Sequence, residues 1–195
     1  MPEENTSPAS HPVPRIWREE LSAVLLTQAQ INTRVRQLGA VITQDFQGRE
    51  MTLVALLNGC VVFLADLIRR LPLPLRLDFM GVSSYRDNVK PGKTRPTKRL
   101  QMDVRGRDVL LIDDILDTGG TLEKAVATLA ALKAASVKTC VLLDKPSRRT
   151  RPVRADYVGF SVPDVFVVGY GLDFAERFRN LPFIGVLHRP HPGAK

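Results

Sequence analysis

One segment constrains the fold more than any other part of the chain: 109–121, with the sequence VLLIDDILDTGGT. Four apolar residues, Val109–Ile112, are followed at once by two acids. An unbroken apolar run of this kind is typical of a strand that is buried on both faces. Two glycines and two threonines then lead into a helical pattern. The segment therefore predicts a buried strand, a tight turn and a helix in direct succession.

Strand and helix patterns alternate along the rest of the chain. Apolar runs predict strands at 51–57, 75–83, 109–113, 137–143, 157–160 and 166–168. A helix is predicted at 61–71, ended by Pro72, and another at 121–135 with an apolar face of Leu122, Val126, Leu129 and Leu132. This alternation predicts an α/β fold with a mostly parallel central sheet flanked by helices.

A third helix is predicted after the short apolar run 21–26. Thr27 offers an N-cap, and Gln30 stands three residues later, which is a capping-box arrangement. Apolar residues follow at helical spacing and predict one buried face, formed by Ile31, Val35, Leu38, Ile42 and Phe46.

The composition is that of an ordinary globular protein, with 44% hydrophobic and 25% charged residues in 195. We expect one domain over 15–188, between tails at 1–14 and 189–195, of which the first is rich in Pro, Ser and Glu and predicted to be disordered. No apolar run approaches the roughly 18 residues of a membrane span, and no signal pattern opens the chain, so a cytoplasmic location is expected. The two cysteines lie in apolar surroundings, and the three histidines lie in the tails or directly beside them, so we predict no metal site built from these residues.

The net charge of +8 suits a nucleic acid or a polyphosphate as partner. The densest basic cluster is 145–154, with the sequence KPSRRTRPVR. Two interpretations of this cluster stay open, a solvated loop and a functional basic patch. The polar stretch 85–98 contains five basic residues and is predicted to be a mobile loop of the kind that often carries function.

The turn after the strand at 109–113 has the properties of a phosphate site. Ligands of open α/β sheets bind at the carboxyl ends of the strands. Gly119 and Gly120 allow the main chain to approach an anion closely, and the following helix N-terminus supplies free N–H groups. The hydroxyls of Thr118 and Thr121 are further donors.

The acids beside this turn would repel a phosphate that faced them directly. They are explained if Asp113 and Asp114 accept hydrogen bonds from ribose hydroxyls, or hold a Mg²⁺ that neutralises a pyrophosphate. The sequence therefore predicts a sugar phosphate on one side and a metal-bound polyphosphate on the other. Two other phosphate motifs, G-x-x-x-x-G-K-[ST] and G-x-G-x-x-G after a strand, do not occur in the sequence.

Segment 109–121 resembles the phosphoribosyl-diphosphate binding signature of type I phosphoribosyltransferases. Within that family, an aspartate at position 117 is typical of the enzymes that act on 6-oxopurines. Further motifs resemble the hypoxanthine-guanine phosphoribosyltransferase family in the same order: 56–59 (LLNG), 78–85 (DFMGVSSY), 143–147 (LDKPS), 159–173 (GFSVPDVFVVGYGLD) and 177–182 (RFRNLP). The resemblance covers about 21–186. It implies the type I phosphoribosyltransferase fold, with a small hood subdomain and a mobile active-site loop.

The resemblance implies purine salvage: transfer of the 5-phosphoribosyl group from phosphoribosyl diphosphate to hypoxanthine or guanine, giving IMP or GMP and pyrophosphate. Asp117 would be the general base that takes the proton from purine N7. Asp113 and Asp114 would hold the ribose hydroxyls, partly through Mg²⁺. The 5′-phosphate would be held by the turn residues Thr118, Gly119, Gly120 and Thr121.

The remaining implied roles concern the base and the pyrophosphate. Lys145 would donate to purine O6, Phe166 would stack on the base and the main chain of Val167 would contact its edge. The pyrophosphate would be bound by Arg179 and by the loop Leu57, Asn58 and Gly59, with a second Mg²⁺ on Asp173. Ser84 and Tyr85 would belong to the loop that closes over the site to exclude water.

Two positions depart from the family pattern. Asn58 stands where the family usually has Lys or Arg, so we expect weaker binding of phosphoribosyl diphosphate or pyrophosphate. Asp113 stands where Glu is common, which keeps the carboxylate on a shorter side chain.

Two other functions were weighed against this enzyme. An RNA-binding regulator on the same scaffold would use the basic cluster 145–154, but it would have no need of a base at position 117. A degenerate nucleotide-binding module is disfavoured because the catalytic side chains are all present. The resemblance also implies a homodimer or homotetramer, with no membrane or nucleic-acid partner, and the choice among hypoxanthine, guanine and xanthine stays open.

Overall fold

The computed structural model describes residues 11–81 and 98–188. The chain divides into two compact units. The first comprises the described residues up to Arg34 and those from Val165 onward, and the second comprises the described residues between Val35 and Asp164. The division falls inside the first helix, and the two units are described separately below.

Strands and helices alternate through most of the described chain. In order, the elements are β1 (Leu21–Leu26), α1 (Gln28–Asp45), β2 (Met51–Leu57), α2 (Val61–Ile68), β3 (Leu75–Gly81), β4 (Asp108–Leu116), α3 (Gly120–Ala131), β5 (Ser136–Asp144), β6 (Tyr157–Ser161), β7 (Val167–Val168) and β8 (Ile184–Leu187). Short 3-10 turns lie at Arg15–Trp17 and Pro146–Arg148.

The second unit contains a five-stranded sheet in the order β3-β2-β4-β5-β6. All four neighbouring pairs in this sheet are parallel. The predicted parallel α/β sheet is therefore confirmed. The prediction of a single domain over 15–188 stays a prediction.

The centre of this sheet is the strand that the sequence marked most strongly. Residues Val109–Asp113 of β4 are buried one after another, so both faces of the strand are covered. Helix α3 packs on the sheet through Leu122, Ala125 and Leu129. Leu132, which we expected on the same face, is 45% exposed because the helix has already ended.

Strand β4 extends beyond the predicted end at Asp113. Its pairing with β5 continues through Ile115 opposite Leu143 and Leu116 opposite Asp144. Both acids therefore lie inside the strand, near its carboxyl end. The predicted end of the strand at Asp113 was wrong, because the apolar run resumes at Ile115 and supports further pairing.

Two helices are shorter than their sequence patterns predicted. Helix α2 ends at Ile68 and not at Leu71, since Pro72 disfavours helical backbone in the residue before it. Helix α3 begins at Gly120 and ends at Ala131. Lys133, two residues later, has a φ of 63°, which is incompatible with a continuing right-handed helix.

The first unit contains an antiparallel sheet in the order β1-β8-β7. The resemblance implied a small hood subdomain, and this sheet fits it. Its core includes Val168, Phe178 and Phe183, and Trp17 meets Phe178 edge to face at 5.8 Å between ring centroids. β8 had no counterpart among the predicted strands, and the strand predicted at 166–168 begins one residue later at Val167.

The capping box at the start of α1 is confirmed. The main-chain N–H of Thr27 donates to Oε1 of Gln30 at 2.9 Å, and the N–H of Gln30 donates to Oγ1 of Thr27 at 3.3 Å. The predicted apolar face is buried at every position: Ile31, Val35, Leu38, Ile42 and Phe46.

Several predictions fall on residues outside the described ranges. These are most of the tail 1–14, the tail 189–195 and nearly all of the loop 85–98. Within the described residues, no helix combines the length and the apolar character that crossing a membrane requires.

Tyr157 belongs to a hydrogen-bonded group that lies away from the carboxyl edge of the sheet. Its contribution to the stability of the second unit can therefore be tested separately from activity. Its hydroxyl donates to Oδ2 of Asp45 at 2.6 Å, and Lys138 Nζ donates to both groups, at 3.1 and 3.2 Å. Burial raises the pKa of Tyr157 to about 12, so the phenol remains a donor at neutral pH.

We expect Tyr157→Phe to lower the free energy of unfolding by about 1 kcal/mol, because it keeps the ring and removes one hydrogen bond. Urea denaturation measures this change. The activity that the resemblance implies should be unaffected. Tyr157 is level with Cys140, four residues before Asp144 on β5, and so lies roughly 13 Å from the carboxyl edge. A fall in activity without a fall in stability would contradict this account.

Candidate active site

Parallel pairing brings the predicted site segments of the second unit to one edge of the sheet. Ala55 of β2 is level with Ile112 of β4, and Leu116 of β4 is level with Asp144 of β5. The loop after β2, the turn after β4 and the residue after β5 therefore leave the sheet side by side. These segments carry the predicted residues Leu57, Asn58, Gly59, Asp113, Asp114, Asp117, Thr118, Gly119, Gly120, Thr121 and Lys145.

The loop after β2 lies against the carboxylate of Asp114. A Cβ added to Gly59 would stand 1.7 Å from Oδ2 of Asp114, far inside van der Waals contact. Glycine is therefore required at position 59 for this carboxylate to keep its place. The peptide bond between Leu57 and Asn58 is cis, and Asn58 is exposed.

Asp113 and Asp114 form a pair of adjacent carboxyls with different environments. Asp113 is 7% exposed, and its Oδ1 accepts the main-chain N–H of Asp114 at 3.0 Å. Burial, and then the charge of Asp114, raise the pKa of Asp113 well above its usual value. Asp114 is half-buried, and its Oδ1 accepts the N–H of Ile115 at 2.8 Å.

Cys60 lies behind this pair as a buried free thiol. Burial, followed by the charges of Asp113 and Asp114, raises the pKa of Cys60, so the thiol stays protonated. The apolar surroundings of Cys60 and Cys140 in the sequence predicted buried thiols, and both side chains are buried.

The turn between β4 and α3 has the geometry of an anion site. Gly119 has a φ of 93°, in the left-handed region that favours glycine, and it is the N-cap residue of α3. The helix begins at Gly120, and among the described residues no side chain caps it. The first N–H groups of α3 are thus left to bind a ligand, beside the hydroxyls of Thr118 and Thr121.

Two cationic side chains lie near Asp117. Lys145 is buried, and burial lowers its pKa while the charges of Asp117 and Asp164 oppose that shift. Arg148 donates from Nε to Oδ1 of Asp117 at 3.2 Å. The Asp117 side chain is 41% exposed, so its carboxylate is accessible from solvent.

The basic segment after β5 folds back onto the turn between β4 and α3. Arg149 is bonded to both the main-chain oxygen of Asp117 and the carboxylate of Asp144. The N–H groups of Thr150 and Arg151 donate to the main-chain oxygen of Thr118, at 3.1 and 3.2 Å. The central part of the cluster 145–154 therefore supports the turn.

Ion pairs account for much of the charge in this cluster. Arg148 is also 3.8 Å from Oδ1 of Asp164, and Arg151 is 3.6 Å from Oε2 of Glu123. These contacts with acids weaken the interpretation of the cluster as an exposed surface for nucleic acid. Sequence spacing gave no signal for the contacts of Arg148 and Arg149 with Asp117, because these residues are 31 and 32 positions from it.

The other predicted site residues that the structure describes belong to the first unit. Phe166 is 37% exposed and meets Phe174 edge to face, with ring centroids 5.5 Å apart. Val167 begins β7 and is paired with Val186. Arg179 forms an ion pair with Asp173 at 3.0 Å and donates to the main-chain oxygen of Gly171 at 2.8 Å.

Each unit contains carboxylates of the kind that bind Mg²⁺ together with substrate oxygens. Among the described residues, no group of three or more His, Cys, Asp or Glu side chains is placed to hold a metal. Mg²⁺ is commonly bound by one or two carboxylates together with substrate oxygens and water. Asp113 and Asp114 in the second unit, and Asp173 in the first, offer carboxylates of that kind. Ser84 and Tyr85 lie outside the described residues.

The contact between Gly59 and Asp114 gives a direct test of the site. In Gly59→Ala the new methyl group meets the end of a side chain and not the main chain, so Asp114 can swing away and the fold can persist. We expect a melting temperature within a few degrees of wild type. Affinity for phosphoribosyl diphosphate, the substrate that the resemblance implies, should fall about tenfold or more because a site carboxylate is displaced. The measurement is a steady-state titration of that substrate, and wild-type values would contradict the assigned contact.

Comparison with known proteins agrees with this geometry. Residues 24–175 match the phosphoribosyl transferase domain family. The chain is 46% identical over 173 residues to the hypoxanthine-guanine phosphoribosyltransferase of Bacillus subtilis, covering 88% of this chain and 96% of that protein. It is 45% identical over 165 residues to the hypoxanthine phosphoribosyltransferase of Salmonella typhimurium, covering 83% and 93%.

A solved structure supports the same assignment. The crystal structure of a hypoxanthine phosphoribosyltransferase from Staphylococcus aureus superposes with a TM-score of 0.83 at 42% identity, covering 91% of this chain and 98% of that one. Family, sequence and fold therefore agree, and the chain belongs to the phosphoribosyltransferase family, among the hypoxanthine-guanine phosphoribosyltransferases.

Proposed function

We propose that this protein transfers the 5-phosphoribosyl group from phosphoribosyl diphosphate to hypoxanthine or guanine, giving IMP or GMP and releasing pyrophosphate. The observation that carries the proposal is the turn at the carboxyl end of β4, where Asp117 stands three positions before the first residue of α3. No side chain in the described part of the chain caps this helix N-terminus, and Gly119 lies in the left-handed region. This short turn offers both N–H donors for a phosphate and a carboxylate for a base.

The turn holds the 5′-phosphate. The N–H groups at the start of α3 point toward the anion, and the hydroxyls of Thr118 and Thr121 add donors. Binding the phosphate here fixes the sugar relative to Asp117, which is the main contribution that positioning makes to such a transfer. Asp113 and Asp114 accept hydrogen bonds from the ribose hydroxyls.

Asp117 is the general base. As the purine attacks C1′ of the sugar, the proton on N7 moves to a carboxylate oxygen of Asp117, and the bond from C1′ to the pyrophosphate breaks. The negative charge also favours the cationic sugar that develops in the transition state.

Lys145 selects the 6-oxopurine. An ammonium group donates hydrogen bonds and accepts none, so it favours the oxo group at C6 over the amino group of adenine. Burial strengthens this discrimination, because a buried donor left without its acceptor costs about 1–3 kcal/mol. Phe166 stacks on the base, and the main chain of Val167 reads the base edge.

The pyrophosphate would be bound by Mg²⁺, which carboxylates hold, and by an arginine. Asp173, Asp113 and Asp114 would hold Mg²⁺, which supplies positive charge to the pyrophosphate oxygens when it is bound. Arg179 donates to the pyrophosphate, and in the free protein it is held by Asp173. Asn58 and Gly59 contribute the loop that follows β2, and Ser84 and Tyr85 belong to the loop that closes over the site.

The assembly proposed from the family resemblance is a homodimer or homotetramer. A cytoplasmic location and the absence of a nucleic-acid partner likewise remain predictions of the sequence. The acid-paired arginines of the basic cluster favour the enzyme over the RNA-binding regulator.

The reaction is tested by mixing the protein with Mg²⁺ and phosphoribosyl diphosphate, adding hypoxanthine, guanine, xanthine or adenine, and measuring pyrophosphate release. We expect turnover with hypoxanthine or guanine and at least 100-fold less with adenine, roughly the discrimination that a lost buried hydrogen bond gives. Asp117→Ala should lower kcat by about 100-fold or more while changing the KM of either substrate much less. An absence of turnover with every 6-oxopurine would refute the proposal. If Asp117→Ala weakened substrate binding as much as it lowered kcat, the assignment of Asp117 as the base would be refuted.

Asn58 gives a separate prediction about pyrophosphate binding. Because Asn58 is exposed and carries no charge, Asn58→Lys adds a cation beside the site without disturbing the core. We expect the KM for phosphoribosyl diphosphate to fall by about tenfold, the equivalent of ~1.4 kcal/mol. Asn58→Met is the matched control, since it has similar length without charge and should not lower the KM. An unchanged KM in Asn58→Lys would show that the missing cation is not limiting.

A further inference from the structure

Arg148 contacts the carboxylate of Asp117 from a rigid position. The 3-10 turn Pro146–Arg148 begins with proline, and the N–H of Arg148 donates to the main-chain oxygen of Lys145 at 3.1 Å. From this turn, Nε of Arg148 donates to Oδ1 of Asp117 at 3.2 Å. Asp164 lies near the guanidinium as well, with 3.8 Å from its Oδ1 to Nε. Arg148 therefore stands between two carboxylates in the second unit.

The main chain around Asp117 is held by other groups. Arg149 bonds to the main-chain oxygen of Asp117, and the N–H groups of Thr150 and Arg151 donate to the main-chain oxygen of Thr118. Arg149 has only 17% of its side chain exposed, whereas Arg148 has 48%. Removal of Arg148 should therefore leave the turn in place and free only the side chain of Asp117.

That side chain needs a fixed direction if it is to receive a proton. An aspartate with 41% of its side chain exposed can move between rotamers, and an error of about 1 Å in a reacting group can cost about 100-fold in rate. Lys145 is a second charge close to Asp117, and it would pull the carboxylate toward itself if Arg148 did not oppose it.

We propose that Arg148 is a positioning residue: its guanidinium fixes the rotamer of Asp117 so that the carboxylate faces the purine N7. This inference rests on the proposed function, in which Asp117 is the base. The contact is made through Nε to one carboxylate oxygen, and a carboxylate has about four lone-pair sites, so acceptor sites remain for the proton. No covalent bond to Arg148 forms, and the proton passes only from the purine ring to Asp117.

An exposed ion pair of this kind contributes little to folding, commonly under about 1 kcal/mol. The consequence of losing it should therefore appear in turnover and not in stability. Asp164 supports the same arrangement, because it approaches the guanidinium from the loop after β6.

The test compares Arg148→Gln, Arg148→Lys and the control Arg154→Gln in the full-length protein with Mg²⁺, phosphoribosyl diphosphate and hypoxanthine. Arg154 is an exposed member of the same basic cluster, so Arg154→Gln makes the same change in net charge. We expect Arg148→Gln to lower kcat by about tenfold with the KM for phosphoribosyl diphosphate within about twofold of wild type. Arg148→Lys should recover part of the loss, and Arg154→Gln should match wild type.

A double-mutant cycle separates positioning from a general effect of charge. In an Asp117→Ala background, Arg148→Gln should cause no further loss, because the group that it positions is gone. A wild-type kcat in Arg148→Gln, a higher kcat, or an equal loss in both backgrounds would each overturn the inference. An inactive wild-type protein would instead refute the proposed function, so the two failures are distinguishable.

Discussion

The turn from β4 into α3 is held by the segment that follows β5, and the proposed chemistry depends on that contact. The main-chain oxygens of Asp117 and Thr118 accept bonds from Arg149, Thr150 and Arg151. Gly119 supplies the left-handed backbone that the turn requires, and Arg149 and Arg151 pack beside it. With the turn fixed, the N-terminus of α3 and the main chain of Asp117 keep a constant separation. In the function that we propose, a phosphate bound at this helix N-terminus would bring the sugar carbon close to Asp117.

Two buried groups of opposite charge, Asp113 and Lys145, lie at this edge of the sheet. Asp113 is buried beside Asp114 at a cost to the free protein, since burial and like charge both oppose its ionisation. Lys145 is buried as well, with Asp117 and Asp164 as neighbouring charges. In the proposed complex, ribose hydroxyls and Mg²⁺ would contact the carboxylates, and the purine oxygen would accept a hydrogen bond from the lysine. The burial of Lys145 thus gives a physical reason for the selectivity for 6-oxopurines over adenine that we propose.

The sequence predicted the parallel sheet well because strands buried on both faces appear as unbroken apolar runs, as in β2, where Met51–Leu57 matched the structure residue for residue. It predicted the start of α1 because Thr27 and Gln30 have the residue types and spacing of a capping box, and both hydrogen bonds of that box are present. It failed at helix ends and at the short strand β8, where few residues carry a periodic signal. The role of the cluster 145–154 was also invisible, since contacts between residues about 30 positions apart depend on the folded chain.

A crystal structure of the protein with Mg²⁺, phosphoribosyl diphosphate and a 9-deaza analogue of hypoxanthine, which lacks the nitrogen that attacks the sugar, tests the account most directly. We predict the 5′-phosphate on the N–H groups of the turn that ends in Thr121, and a carboxylate oxygen of Asp117 within hydrogen-bond distance, about 2.6–3.2 Å, of the purine N7. A phosphate bound elsewhere, or an Asp117 carboxylate turned away from the purine, would contradict the central claim.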